Sequence, residues 1–113
     1  MKIAIIGSRN FTNYKLLQEI LEQYQPKITL VVSGAAKGAD SLGEKWALEN
    51  NIQTLIFPAD WNQYGKIAGF IRNEDIIKNC DCCVAFWDGE SKGTKHSLSL
   101  CKKYNKPVKI VQI

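Results

Sequence analysis

Five short runs of apolar, largely β-branched residues recur along the chain, each separated from the next by a segment of helical character. The runs are Lys2–Ile6, Ile28–Ser33, Ile52–Phe57, Cys82–Trp87 and Val108–Ile113. As a set they are continuously apolar rather than alternating, which predicts strands of a parallel sheet covered on both faces. In the first intervening segment, Asn13–Tyr24, the side chains Leu17, Ile20, Leu21 and Tyr24 share one helical face. Thr12 or Asn13 can cap it, and Pro26 closes it. The second, Ala39–Asn50, would bury Ala39, Leu42, Trp46 and Ala47, and Ser41 with Glu44 has capping-box spacing. Ala59–Gly65 reads as an irregular loop. Lys66–Asn79 is helical in period but carries Gly69, which costs about 1 kcal/mol relative to alanine in a helix interior and suggests a close neighbour. Gly93–Tyr104 is the last helix. The order βαβαβαβαβ predicts an α/β, doubly wound, Rossmann-like three-layer sandwich with a five-stranded, mostly parallel sheet.

A chain of 113 residues, 45% hydrophobic and 23% charged, suits one domain over residues 1–113 with a self-sufficient core. No apolar run approaches the roughly 18 residues of a membrane span. Met1-Lys2 leads into four apolar residues and then Gly7, too few for a secretory signal. A soluble, cytoplasmic protein with no membrane partner is the expectation. The net charge of +4 is uneven: residues 91–113 hold six lysines and no acid, which serves either solubility or attraction of phosphates. Cys80, Cys82, Cys83 and Cys101 lack metal-ligand spacing, and alternation sends Cys82 and Cys83 to opposite faces of a strand. They are expected to be reduced and structural, with no metal bound.

In an open parallel sheet, ligands bind outside the carboxyl ends of the strands. Here those ends run into Gly7-Ser8-Arg9-Asn10-Phe11, Ser33-Gly34-Ala35-Ala36-Lys37-Gly38-Ala39-Asp40, Pro58-Ala59-Asp60-Trp61 and Asp88-Gly89-Glu90-Ser91-Lys92-Gly93-Thr94. Connections at the opposite edge are plain turns. Two of the four loops have the form strand, small residues, helix start, where free N–H groups and the helix dipole favour an anion. Neither the dinucleotide nor the P-loop glycine fingerprint is satisfied. Arg9 and Arg72 are the two arginines among 15 basic residues, and suit bidentate contact with phosphate. Arg9 could instead pair with Asp40 or Asp60. Asp40 either caps its helix or reaches a ribose. Trp61, Tyr64 and Trp87 could stack on a base, although Trp87 also suits the core. Asp88 and Glu90, with Arg72, are the candidate catalytic groups. His96 is expected to be solvated.

Together, Ile6-Gly7-Ser8-Arg9, the loop from Ser33 to Asp40, Pro58-Ala59-Asp60-Trp61, Tyr64-Gly65-Lys66, Ala68-Gly69, Arg72-Asn73, Ala85-Phe86-Trp87-Asp88-Gly89 and Ser91-Lys92-Gly93-Thr94 resemble the SLOG superfamily. They look most like its small YspA branch, related to YpsA. The resemblance implies a Rossmannoid domain binding nucleotides or nucleotide-derived ligands such as ADP-ribose-like molecules. Relatives include the DNA-uptake protein DprA and the LOG enzymes, which cleave the base from nucleoside 5′-monophosphates. The LOG signature PGGxGTxxE is only partly kept: Gly93 and Thr94 match, but Glu90 and Ser91 replace two glycines and Ser97 replaces the glutamate.

The leading expectation is a binding domain that senses or sequesters a nucleotide-like ligand and requires no cofactor. Phosphate would sit on Gly34–Asp40 and Ser91–Thr94, with Arg9 and Arg72 as charge partners. Base or ribose would lie near Asp60, Trp61 and Trp87, with Gly7, Ser8, Gly69, Asn73 and Gly89 completing the site. The alternatives are a phosphoribohydrolase-like enzyme and a DprA-like nucleic-acid-binding module, the latter ranked last for want of an aromatic-rich basic surface. Self-association through helices is a further implication of the resemblance.

Overall fold

The computed structural model describes residues 1–113. The elements are β1 (Lys2–Gly7), α1 (Tyr14–Glu22), β2 (Leu30–Ser33), α2 (Ala39–Glu49), β3 (Gln53–Ile56), α3 (Trp61–Tyr64), α4 (Ala68–Lys78), β4 (Cys82–Trp87), α5 (Lys92–Lys103) and β5 (Val108–Gln112). The strands form one sheet in the order β3-β2-β1-β4-β5, and every pairing is parallel. The expected Rossmann-like α/β fold is therefore present. No helix is long and apolar enough to cross a membrane.

β1 lies at the centre because its Ile3, Ala4, Ile5 and Ile6 are apolar on both faces and buried. Ile3 and Ile5 pack with Leu17 and Leu21 of α1, Trp46 and Ala47 of α2, and Val84 and Phe86 of β4. Ala4 and Ile6 face Ile76 and Ile77 of α4 and Leu100 and Cys101 of α5. Each fully buried aliphatic side chain of this size contributes about 1.5–3 kcal/mol. Cys82 lies on the first face and Cys83 on the second, as the alternation requires, and all four cysteines are free thiols.

Several boundaries move for local reasons. α1 is capped by Asn13, whose Oδ1 accepts the Leu16 N–H at 3.1 Å, and it ends at Glu22 before a 3-10 turn, Gln25–Lys27. The expected irregular loop at 59–65 contains the single turn α3, capped by Asp60 Oδ1 accepting from Gln63 N. Gly69 falls in the first turn of α4, and a side chain there would meet the Trp61 ring at 3.4 Å. That is ordinary van der Waals contact for a methyl group, so the close approach expected from the glycine is not found.

Double-sided coverage fails at the sheet edges. β3 and β5 are largely exposed, with Val108 and Ile110 37% and 49% accessible, because α5 lies over β4 and β1 rather than β5.

Candidate functional site

β1 is flanked by β2 and β4, and the chain leaves β1 toward the α1/α2 face but leaves β4 toward the α4/α5 face. The loops part at this switch and leave a crevice at the carboxyl ends of the strands. Ser8 clasps the two strand ends: its N–H donates to Phe86 O at 2.9 Å, and its Oγ accepts from Asp88 N at 3.2 Å. Gly7 packs so closely on Phe86 that a Cβ there would strike the Phe86 carbonyl oxygen.

A cavity of about 390 Å³ opens above this point. It is lined by Gly7, Ser8, Arg9, Asp40, Arg72, Asn73, Asp88, Ser91, Gly93 and Thr94, among others. A second cavity of about 330 Å³ adjoins it, bounded by Arg9, Gly34, Ala35, Trp61 and Arg72. Sequence reasoning did not single out Asn10, Ala36 and Ser97 in the first cavity, or Lys37, Pro58 and Ala59 in the second, as site residues. Ala36, Lys37, Pro58 and Ala59 stand inside the strand-end loops, so loop membership was the available signal. Asn10 stood in the first strand-end loop and Ser97 at the signature-glutamate position, but neither was carried into the expected site.

Other expected site residues lie elsewhere. Ser33 is buried beneath its loop, with Oγ donating to Glu44 Oε2 at 2.8 Å. Asp60 is the α3 cap, and Gly69 lies under Trp61. Trp87 lines neither cavity, and its Nε1 donates to Ser91 O at 3.1 Å. Gly89 and exposed Glu90 belong to the turn after β4, outside both cavities. Gly38 and Ala39 support the loop from behind, where Ala39 N donates to Ser8 O at 3.4 Å. Asp60, Trp61 and Trp87 thus do not form one ring-binding wall, because strand direction and the Trp87 hydrogen bond separate them.

The β2–α2 loop has an unexpected internal anion. Ala35 adopts a left-handed conformation (φ 59°), which turns the Gly34 and Ala36 N–H groups toward the same carboxylate oxygen. Asp40 Oδ2 accepts from them at 3.2 and 3.3 Å. Two of the loop amides expected to hold phosphate are therefore taken by the chain itself. Burial is the main influence on Asp40 and pushes its carboxyl up to about 6, against the pull of these amides and of Arg72.

Arg72 holds the carbonyl end of Gly34, with Nη1 donating to Gly34 O at 2.8 Å and Nε to Asn73 Oδ1 at 3.0 Å. Asn73 Nδ2 in turn reaches Gly93 O at 3.4 Å and His96 Nδ1 at 3.2 Å. This chain of bonds ties the β2–α2 loop to the start of α5. Burial lowers the Arg72 pKa, with Asp40 opposing and the like charge of Arg9 reinforcing the shift. His96 is half-buried, not solvated: its ring stands edge-on to Phe70 at 4.6 Å, and burial lowers its pKa. Arg9 forms no contact ion pair with Asp40 or Asp60, since the one such pair in the molecule joins Lys78 and Glu74.

Asp88 Oδ1 accepts from Glu90 N at 2.9 Å and Ser91 N at 2.8 Å, which folds the turn into α5. Those bonds hold its pKa below the ordinary value. Ser91 and Thr94 share a 3.2 Å hydroxyl–hydroxyl contact at the helix start.

The parallel sheet and its switch-point crevice define a Rossmann-like α/β domain. The chain belongs to the YAcAr family, described as the YspA, cpYpsA-related SLOG family, whose model matches residues 1–64. It is 32% identical over 116 residues to the Gene 61 protein of Mycobacterium phage D29, covering 95% of this chain and 93% of that protein. Among solved structures, DNA processing protein A from Helicobacter pylori, described for its single-stranded DNA binding mode, superposes with a TM-score of 0.72 at 23% identity. DprA from Streptococcus pneumoniae superposes with a TM-score of 0.78 at 19% identity. The matches cover 97% and 96% of this chain but 64% and 49% of those chains, and what they share with it is the fold.

Proposed function

We propose that the domain binds a phosphorylated, nucleotide-derived ligand in the crevice between the ends of β1 and β4. The observation that carries this reading is the convergence of Arg9 and Arg72 on a hydroxyl-lined cavity at the switch point, with neither arginine in a contact ion pair. Guanidinium groups outside contact ion pairs at such a cleft favour an oxyanion ligand, although Asp40 offsets part of the Arg72 charge. Because Asp40 takes the Gly34 and Ala36 amides, the phosphate belongs nearer Ser91, Gly93 and Thr94. Sensing or sequestration needs nothing more of the site. The hydrolytic reading has weaker support, since Ser97 is the buried residue at the signature glutamate position and Asp88 Oδ1 is engaged by the turn.

Isothermal titration with nucleoside mono- and diphosphates tests the proposal. Exposed Arg9 can be replaced by alanine without disturbing the core, and affinity should fall about 10-fold or more. Equal affinity in wild type and Arg9→Ala would place the phosphate elsewhere. Appearance of free base and ribose phosphate during the titration would restore the enzyme.

One observation favours single-stranded nucleic acid as a second reading. Trp61, Tyr64 and Phe70 are 53%, 42% and 52% accessible, and Trp61 shares a cavity with Arg9 and Lys37. These rings are exposed, and Trp61 at least lies beside basic side chains. Bases stack on such rings regardless of sequence. This reading predicts oligonucleotide affinity that falls steeply with salt; weak dependence on salt and on oligonucleotide length would reject it.

A further inference from the structure

β5 is an edge strand whose two faces are covered differently. Its Val111 stands in register with Phe86 and packs on the α1/α2 side of the sheet. Val108 and Ile110 stand in register with Cys83 and Ala85, which are buried on the α4/α5 side. Cross-strand partners share a face, so Val108 and Ile110 belong to the α4/α5 side too. Both are nevertheless exposed, because α5 lies over β4 and β1 and stops short of them.

α5 forms a wall above this ledge. Its contacts with α4 run through His96, edge-on to Phe70, and through Tyr104, whose hydroxyl donates to Glu74 Oε1 at 2.9 Å. Helical spacing sets Lys95, Leu98 and Lys102 on the opposite flank, toward β5. Leu98 is half-buried against the α4/α5-side core, whereas Lys95 and Lys102 are exposed. The surface therefore has a step, with an apolar floor at Val108 and Ile110, an apolar wall at Leu98 and two ammonium groups along the rim. None of these residues lines either cavity at the strand ends. No acid occurs in residues 91–113; Asp88 and Glu90 belong to the turn before α5.

We infer that this step is the docking surface for an acidic amphipathic helix of a partner protein. The helix lies beside α5, sets apolar side chains on Val108, Ile110 and Leu98, and directs carboxylates to Lys95 and Lys102. The five residues of β5 span about 17 Å, the length of about 11 helical residues. Charge decides the occupant. A second copy of this chain docked by the same face about a two-fold axis would set lysines against lysines. Nucleic acid would meet the lysines but leave Val108 and Ile110 uncovered. A helix with one apolar and one acidic face matches both halves of the step.

The test is fluorescence anisotropy of the whole protein with a labelled peptide of about 14 residues, leucine on one helical face and glutamate and alanine on the other. A second peptide carries lysine in place of glutamate, and circular dichroism confirms that each protein variant is folded. Wild type should bind the acidic peptide and not the basic one. Ile110→Gln should weaken the acidic peptide about 5- to 10-fold. Lys95→Glu with Lys102→Glu should weaken it about 10-fold or more and admit the basic peptide instead. Lys15→Glu with Lys27→Glu changes the net charge equally but lies on α1 and the turn after it, and should hold affinity within about 2-fold. Failure of the acidic peptide to bind folded wild type up to about 1 mM overturns the inference, as does equal affinity in wild type and the groove variants. An equal loss in the Lys15/Lys27 pair assigns the effect to overall charge and overturns it too. An oligonucleotide that needs Lys95 and Lys102 but not Ile110 would give the lysines to nucleic acid, and self-association abolished by Ile110→Gln would give the face to a second copy; either result overturns the helix.

Discussion

At the scale of single residues, Asp40 is the most consequential side chain. Its carboxylate is buried, fills the nest made by Gly34 and Ala36, and has a pKa raised to about 6 from 3.8. Folded protein therefore binds a proton that unfolded protein does not between these values, and stability from this group grows as pH falls through 6. The full effect is about 3 kcal/mol. His96 acts in the opposite sense: its lowered pKa gives stability above its usual 6.5 that is lost as pH falls through the folded value. Urea unfolding of wild type and Asp40→Asn from pH 7 to 4 separates the two, because both proteins keep His96. The difference should move in favour of wild type toward acid. A pH-independent difference would mean that Asp40 is not the buried titrating group. Gly38 offers a sharper steric case: its φ is 78°, and an added Cβ would strike the carbonyl oxygens of Ser8 and Arg9. Gly38→Ala should cost about 2 kcal/mol or more. Gly93→Ala meets nothing within 4 Å and should be neutral or stabilise by up to about 1 kcal/mol. Thermal unfolding of the two variants side by side checks both.

Among elements, the β4–α5 connection shows where sequence reasoning succeeds and where it stops. Apolar runs and periodicity were enough to place all five strands and four of the five helices, because continuous burial and one-sided burial leave different patterns. The single turn α3 was missed because four residues are too few to establish a period. Gly7, Ser8, Arg9, Arg72, Asn73 and Thr94 were legible as site residues from their place at strand ends or in the family motifs, and they do meet in one cavity. The occupant of an amide is a different matter. Asp40 was legible as a cap or ligand contact, but its folding back onto Gly34 and Ala36 depends on the left-handed Ala35, which composition does not announce. Asp88 was legible as an acid, yet its Oδ1 shapes the turn by accepting from Glu90 and Ser91. Asp88→Ala should consequently speed amide exchange at Glu90 and Ser91 and fray the start of α5, even without ligand. Loss of activity or binding in that variant would then reflect a displaced helix start as much as a missing acid. Unchanged exchange at both amides would show that the turn stands without the carboxylate and would return Asp88 to the candidate catalytic groups.

Across the whole molecule, stability and site geometry share one origin, the central strand β1. Ile5 is fully buried, and Gly43 of α2 comes so near that a Cβ there would lie 2.8 Å from the Ile5 side chain. Two residues later the same strand delivers Gly7 and Ser8 to the crevice, so loosening β1 loosens the clasp from Ser8 to Phe86 and Asp88. β5 has no such role: it is an edge strand, Ile110 is 49% accessible, and no helix covers its α5-side face. Ile5→Ala should therefore cost about 2–5 kcal/mol through lost burial and an uncollapsed cavity, whereas Ile110→Ala should cost less than about 1 kcal/mol. Affinity for the proposed phosphate ligand should follow the same order, falling in Ile5→Ala even where most of the protein remains folded, and holding in Ile110→Ala. Urea unfolding and titration on both variants distinguish this from a site that is independent of the core. If Ile5→Ala lowers stability but the folded fraction keeps wild-type affinity, the loops are positioned by their own hydrogen bonds. If Ile110→Ala proves equally costly, the exposed face of β5 is covered in solution, and a surface that is bare in the single chain has found a partner.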